Sequence, residues 1–277
     1  MKRYIYKQLL AWKNEKEHKP LILNGARQVG KTYILREFGR NEYKRMAFFS
    51  LDRDQKALEI FNKGGRATDM LMALSAICHE DITPHDTLVV LDEIQNCPKA
   101  LEALKFFCEE TPEIDIVVAG SLLGLSIHSG VSYPVGKVEE LHLYPMTFLE
   151  FLEAMGKTQL VNLLENKNWT VINMLETELI SSLRQYYYVG GMPAAVLAHI
   201  EKKGWKEVRR IQQQIITDYR RDFSKHAPTR EIPRINMVWD SIPAQLAKEN
   251  KKFVYGAVKK SARAADFEMA IQWLIDA

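Results

Sequence analysis

Short apolar runs alternate with amphipathic stretches along the first half of the chain. Five of these runs read as strands, at residues 20–24, 45–51, 87–92, 114–120 and 140–143. They are short and rich in Val, Ile, Leu and Phe, as parallel strands buried on both faces tend to be. Helical spacings lie between them, such as Ile34, Leu35 and Phe38, then Leu101, Leu104, Lys105 and Cys108. Strand–helix alternation predicts an α/β domain of three layers built on a parallel sheet.

The pattern changes near Pro145. Thr147-Phe148-Leu149-Glu150 is a capping box, in which Thr147 caps a helix and Glu150 reaches back. From there to about residue 224 the spacing is helical, interrupted by Gly190-Gly191-Met192-Pro193. A third piece begins near Ile232. Ile235, Val238, Trp239, Ile242 and Leu246 mark one apolar face, and Phe267, Ala270, Ile271, Leu274 and Ile275 mark another. Residues 252–255 read as a short strand between them. Helix, strand and helix suit part of a winged helix, and three-helix units of other kinds fit as well. The chain stops at Ala277, inside or just after an apolar face and without a helix stop signal, so a truncated last unit is expected. The reading gives three segments: an α/β core over 1–145, a helical lid over 146–230, and a winged-helix-like piece over 231–277.

Composition narrows the class. The chain has 277 residues, 47% hydrophobic and 26% charged, which excludes a disordered chain, a collagen and a coiled-coil rod. The longest stretch free of Asp, Glu, Lys and Arg, 116–136, holds four Gly, four Ser and a Pro, so it reads as a strand and a polar loop and not as a membrane span. The first residues lead into no apolar core of signal-peptide length, so the cytoplasm is the expected compartment. Cys78, Cys97 and Cys108 are odd in number and never two residues apart, which suits reduced thiols and fits neither a disulfide frame nor a zinc ribbon. Net charge is +3 overall but unevenly spread: residues 1–200 carry 22 basic against 25 acidic groups, and residues 201–263 carry 16 against 7, a local +9.

The most specific signal is Gly25-Ala26-Arg27-Gln28-Val29-Gly30-Lys31-Thr32, which follows an apolar strand and opens a helix. The glycines let backbone N–H groups turn inward around phosphate oxygens. The helix after Gly30 adds its free N–H groups and the positive end of its dipole. Lys31 is expected to reach the β- and γ-phosphates, and the Thr32 hydroxyl to ligate Mg²⁺. By residue frequencies such a string arises by chance in about one chain in a hundred of this length, and the strand–helix context makes it rarer.

A second element agrees with the first. Leu88-Val89-Val90-Leu91-Asp92-Glu93 is an apolar strand ending in two carboxylates. Asp92 is expected to hold Mg²⁺ through water, and Glu93 to orient and polarise an attacking water. The alternative for Glu93 is a solvated strand-end carboxylate. Gln95 reads either as a water-placing or γ-phosphate-reading group or as an ordinary loop amide. Ile116-Val117-Val118-Ala119-Gly120-Ser121 is another apolar strand, and Ser121 reads as a γ-phosphate sensor or as a helix N-cap. Gly120-Ser121-Leu122 is not the nucleophile elbow of a serine hydrolase.

With Tyr133-Pro134-Val135-Gly136-Lys137, Leu143-Tyr144-Pro145-Met146-Thr147-Phe148 and Gly190-Gly191-Met192-Pro193 following in order, the chain resembles the prokaryotic AAA-type P-loop ATPases related to the archaeal ATPase and signal-transduction ATPase groups. The resemblance runs over nearly the whole chain. It implies a P-loop NTPase fold, ATP and Mg²⁺ as ligands, and ATP hydrolysis. Members usually carry a C-terminal region resembling a PD-(D/E)xK nuclease. That region is absent here, and no nuclease residue carries over. Many relatives have Arg where this chain has Lys137, which supplies charge without a bidentate fork. Lys137 and Arg184 are the candidate extra phosphate contacts, and a solvated loop lysine is the competing reading of Lys137.

Two uses of ATP follow. In one, hydrolysis drives rearrangement of the helical domains. In the other, nucleotide holds a switch state with negligible turnover. In either, the basic residues of 201–263 suit a nucleic-acid backbone, or they are solvated helix faces. A homo-oligomer or protein partner is also compatible, and no membrane partner is indicated.

Overall fold

The computed structural model describes residues 1–121, 133–247, 249 and 252–276. The polar loop expected after Ser121, Lys251 of the basic stretch and the terminal Ala277 lie outside the described residues. The chain forms two compact units, Met1–Ile211 and Gln212–Ala277.

All five expected strands form: β1 (Leu21–Asn24), β2 (Arg45–Ser50), β3 (Thr87–Asp92), β4 (Asp115–Ala119) and β5 (Glu139–His142). They make one parallel sheet in the order β2-β3-β4-β1-β5. Register pairs Leu21 with Val117 and Val90 with Val117, so β4 lies between β1 and β3. This places the chain ends that follow β1, β3 and β4 side by side at the carboxyl edge of the sheet, where open α/β sheets bind ligands.

The sheet is buried on both faces, and the strand period of two shows it. Ile22, Val89, Leu91, Ile116 and Val118 point into one core with α3 (Gln55–Lys63), α4 (Ala67–Cys78) and α5 (Pro98–Glu110). Leu21, Leu23, Leu88, Val90, Val117 and Ala119 point into the other, with α1 (Ile5–Asn14) and α2 (Lys31–Glu42). Helix α1 is absent from the sequence reading above. Its signal is Ile5, Leu9 and Trp12, spaced one helical face apart and all buried.

After β5 come α6 (Phe148–Ala154), α7 (Thr158–Glu165), α8 (Trp169–Met174), α9 (Glu176–Val189) and α10 (Pro193–Ile200). The capping box forms: the Glu150 amide donates to Thr147 Oγ1 at 3.2 Å, and the Thr147 amide donates to Glu150 Oε2 at 2.8 Å. A third core gathers Met146, Phe151, Val189, Ala195, Val196, Ala198 and Val208. Helix α11 (Trp205–His226) carries the chain into the second unit.

The second unit is helical, with α12 (Ile232–Leu246) and α13 (Ala264–Asp276). Ile235 and Val238 are buried as expected, whereas Leu246 and Ile275 are exposed and Trp273 takes the inward place. Phe267, Ala270 and Trp273 make a stripe at three-residue spacing, and Trp273 meets Phe223 edge-on at 5.6 Å. Residues 252–255 do not join a sheet. Val254 is extended, but its amide and carbonyl are both satisfied by the Gln245 side-chain amide, and Tyr255–Ala257 turns into a 3-10 helix. Among the described residues no helix is long and apolar enough to cross a membrane.

Candidate nucleotide site

The loop between β1 and α2 is wound as its sequence requires. Gly25 has φ +152° and Gly30 has φ +100°, values that L side chains rarely adopt. A Cβ on Gly25 would lie 2.3 Å from the Leu143 carbonyl oxygen, so only glycine fits between the loop and the chain leaving β5. Gln28 is also left-handed, at φ +63°, and Val29 is fully buried. Gly30 is the N-cap of α2 and has no side chain to bond its amides, so the first amides of α2 stay available to an anion.

Lys31 is buried and donates to the carbonyls of Gly25 at 2.5 Å and Ala26 at 2.9 Å. An ammonium has three donors, so one remains. Burial depresses its pKa to about 8, opposed by the Glu93 and Asp92 charges and aided by Arg27. A buried cation held below its ordinary pKa is a site that gains from an incoming anion.

The Thr32 hydroxyl donates to Asp92 Oδ2 at 2.7 Å, tying the start of α2 to the end of β3. Asp92 is buried, and desolvation pushes its carboxyl up, partly offset by the Thr32 bond. The two side chains offer hard oxygen donors, the ligand type Mg²⁺ selects, and a divalent cation would restore the carboxylate charge. The donor set therefore fits Mg²⁺.

Glu93 follows at φ +55° and ψ +44°, a left-handed residue at the strand end. Its amide donates to Asp92 Oδ1 at 3.1 Å, and Gln95 Nε2 donates to Glu93 Oε2 at 2.5 Å. Gln95 thus meets the carboxylate and is not a free loop amide. Ser121 is buried just past β4, and its hydroxyl has no partner among the described residues. A buried hydroxyl without a partner beside the β1 and β3 termini suits a ligand oxygen.

The two extra phosphate candidates lie elsewhere. Lys137 precedes β5, at the sheet edge away from the loop, and pairs with Glu109 at 3.0 Å. Arg184 lines a groove along α9 with Ile180, Ser181 and Tyr188, and none of the loop residues lines it. Among the basic residues of 201–263, Lys203, Arg210, Arg220, Arg221, Arg230 and Arg234 are in ion pairs with acids of the same stretch.

Arg3 is a residue that the motif reading missed. It is 7% exposed and donates to the Val29 carbonyl at 2.9 Å, the Tyr144 carbonyl at 2.5 Å and Glu150 Oε1 at 3.0 Å. One guanidinium thus joins the phosphate loop, the exit of β5 and the cap of α6. Gly191 has a related place. A Cβ there would lie 2.3 Å from the Met146 carbonyl, while the Pro193 ring sits 3.8 Å from where a Gly30 Cβ would be. The glycine–proline string between α9 and α10 therefore packs against the start of the loop helix and the chain after β5. Its sequence signal was the string itself. Arg3 gave none, because its partners are 26 to 147 residues away.

Residues 17–152 match the AAA domain family, and residues 180–277 match a domain family of unknown function. No curated protein matches the chain. The structure is similar to a Walker-type ATPase of Pyrococcus abyssi, with a TM-score of 0.63 at 15% identity over 99% of this chain and 89% of that one. More distant likenesses include AMPPCP-bound DnaA from Aquifex aeolicus (TM-score 0.40, 13% identity, 98% of this chain and 86% of that one) and Drosophila ORC bound to DNA (TM-score 0.42, 16% identity, 96% and 83%). The glycine loop, the Thr32–Asp92 pair, the interposed β4 and the matched domain agree, and the chain belongs on its 17–152 domain to the AAA-type P-loop ATPases.

Proposed function

We propose that the chain binds ATP with Mg²⁺ and hydrolyses it to ADP and phosphate, with Glu93 as the base. The observation that carries this is the 2.7 Å bond between Thr32 and Asp92, with Glu93 next in the chain at the carboxyl edge of the sheet. Gly25, Ala26, Arg27, Gln28, Val29 and Gly30 cradle the phosphates with their backbone. Lys31 takes a phosphate oxygen with its remaining donor. Thr32 and Asp92 hold the metal. When bound, Mg²⁺ neutralises charge on the transferring phosphoryl group. Glu93 aligns water and accepts its proton, with Gln95 steadying the carboxylate. Ser121 contacts the terminal phosphate from β4. Arg3 and the 190–193 string pass the state of the loop to the lid. Turnover by an isolated chain is slow in this reading, because an arginine from a neighbouring subunit is worth roughly a thousandfold. The proposed setting is the cytoplasm, with the three free thiols reduced. A homo-oligomer or protein partner, and nucleic acid on the basic residues of 201–263, complete the proposal.

The second reading is a nucleotide switch without turnover. The Gln95 bond favours it, since one oxygen of Glu93 is already engaged. Single-turnover hydrolysis by wild type and Glu93→Gln separates the two. Both should show an ATP-dependent rise in melting temperature, and Lys31→Ala should lose it. Glu93→Gln should hydrolyse at least about a hundredfold more slowly. Equal rates would remove Glu93 as the base, and tight binding without hydrolysis by the wild type would favour the switch.

A further inference from the structure

The first unit carries a groove that none of the phosphate-loop residues lines. It has a volume of about 960 Å³ and runs along α9 past Glu176, Ile180, Ser181, Arg184 and Tyr188 to Trp205 at the start of α11. The twelve helical steps from Glu176 to Tyr188 span about 18 Å, so the groove is elongated. Its Trp205 end is aromatic and bare. Trp205 is 49% exposed, Tyr188 51% and the adjoining Tyr187 74%.

These rings are braced from behind. Tyr188 meets Trp205 edge-on at 4.8 Å. Trp205 stacks on His199 at 4.9 Å, and His199 stacks on the buried Phe151 at 5.9 Å. Rings already packed on their neighbours, yet about half exposed, have lost rotamer freedom, so stacking a flat partner on the exposed part costs little further entropy.

Charge selects the partner. The nearby acids are neutralised in pairs: Glu178 with Lys157 at 2.5 Å, Glu201 with Lys203 at 2.5 Å, and Glu207 with Arg210 at 2.6 Å. Arg184 lines the groove one turn from Tyr188, Lys202 and Lys206 flank Trp205 in the chain, and none of the three is in an ion pair among the described residues, so the cations near the aromatic end are unpaired. Glu176 lies at the far end of the groove. Flat aromatic faces beside unpaired cations recognise unpaired bases on a phosphate backbone. A duplex hides its base faces in its own stack.

We propose that the Tyr188–Trp205 end of this groove binds single-stranded nucleic acid, with bases on the rings and phosphates on Arg184, Lys202 and Lys206. The proposal rests on the nucleic-acid reading above and names its form and place. The experiment is fluorescence anisotropy with a labelled oligothymidine of about 15 nucleotides and a duplex of equal length. The proteins are wild type, Trp205→Ala, Trp205→Phe, Tyr188→Ala and Arg184→Glu, with Lys259→Glu/Lys260→Glu/Arg263→Glu as a separate patch. An unchanged thermal response to ATP shows that each remains folded. Tyr188→Ala and Trp205→Ala should weaken single-strand binding about tenfold each and leave its salt dependence unchanged, whereas Trp205→Phe should retain most of it. Arg184→Glu should flatten the salt dependence. Wild-type binding of the single strand that neither aromatic variant alters overturns this site while leaving the nucleic-acid reading intact. So does binding abolished only by the 259–263 variant, or polyglutamate competing as well as the oligonucleotide. No binding of either nucleic acid at low salt overturns both.

Discussion

Replacing Arg3 tests how the N-terminal segment, the phosphate loop and the lid are joined. Arg3 and Glu150 are 7% and 4% exposed and meet at 3.0 Å. Deleting one partner of a buried ion pair costs about 3–5 kcal/mol. Glu150 keeps the amides of Tyr4 at 2.7 Å and Thr147 at 2.8 Å, so its charge is not wholly abandoned. The lower end therefore applies, about 3 kcal/mol for Arg3→Ala, or roughly 6–12 °C in the melting of the first unit. Arg3→Lys keeps a charge for Glu150, but one ammonium cannot span three elements, and about 1–2 kcal/mol should be lost. Both variants should also weaken the thermal response to ATP, since the Val29 carbonyl at the back of the loop loses its donor. A double-mutant cycle with Glu150→Ala should give a coupling of about 1–3 kcal/mol. Thermal melts with and without ATP, with the cycle done in urea, read all of this. Melting of Arg3→Ala within about 1 °C of wild type, or strictly additive costs for Arg3 and Glu150, would refute the clasp.

Three further outcomes follow. Because burial holds Lys31 near pH 8 and a polyanion favours its charged form, ATP binding should take up a proton; affinity should fall as pH rises from about 7 to 9, by up to tenfold per unit above 8, and calorimetry in buffers of different ionisation enthalpy detects the uptake. His18 Nε2 lies 2.8 Å from Asp115, its Nδ1 lies 3.0 Å from the Glu15 carbonyl, and the Asp115 bond raises its pKa against the desolvation that lowers it. A raised folded-state value means that this stabilisation is complete below the unfolded pKa and is lost as pH rises through the folded one, so a stability profile between about pH 6 and 8 should fall in wild type and be flatter in His18→Gln. Gly191→Ala should cost about 1–3 kcal/mol in melting and impair the ATP response, because its Cβ would strike the Met146 carbonyl; Gly190→Ala meets open space, so its strain at φ +74° and ψ −177°, a region that only glycine readily adopts, should cost about 1–3 kcal/mol in melting and leave the ATP response intact. An equal loss of the ATP response at the two glycines would show that the contact with the Met146 carbonyl is not what Gly191 serves.

The sequence by itself determined whatever depends on short-range spacing. Short apolar runs predicted the strands, since β1, β3 and β4, covered by helices on both faces, must be apolar almost throughout. The eight residues Gly25 to Thr32 carried their loop, because left-handed glycines and a helix start are local backbone properties. The capping box at Thr147 was legible for the same reason. Tertiary structure decided what depends on distant chain segments meeting. Strand order put Asp92 beside Thr32 and Ser121 beside both strand ends, and the parallel direction of β5 put Lys137 at the amino end of the sheet, where Glu109 claims it. The helical periodicity put Leu246 and Ile275 on apolar faces and passed over Trp273, and packing reversed this, because a face a few residues wide is settled only by the partner it packs on. Gln245 took the place of a strand partner for Val254, which no propensity encodes. Arg3 is the clearest case. A lone arginine near the chain start carries no pattern, and its role exists only because folding brings Val29, Tyr144 and Glu150 within reach of one planar group with five donors.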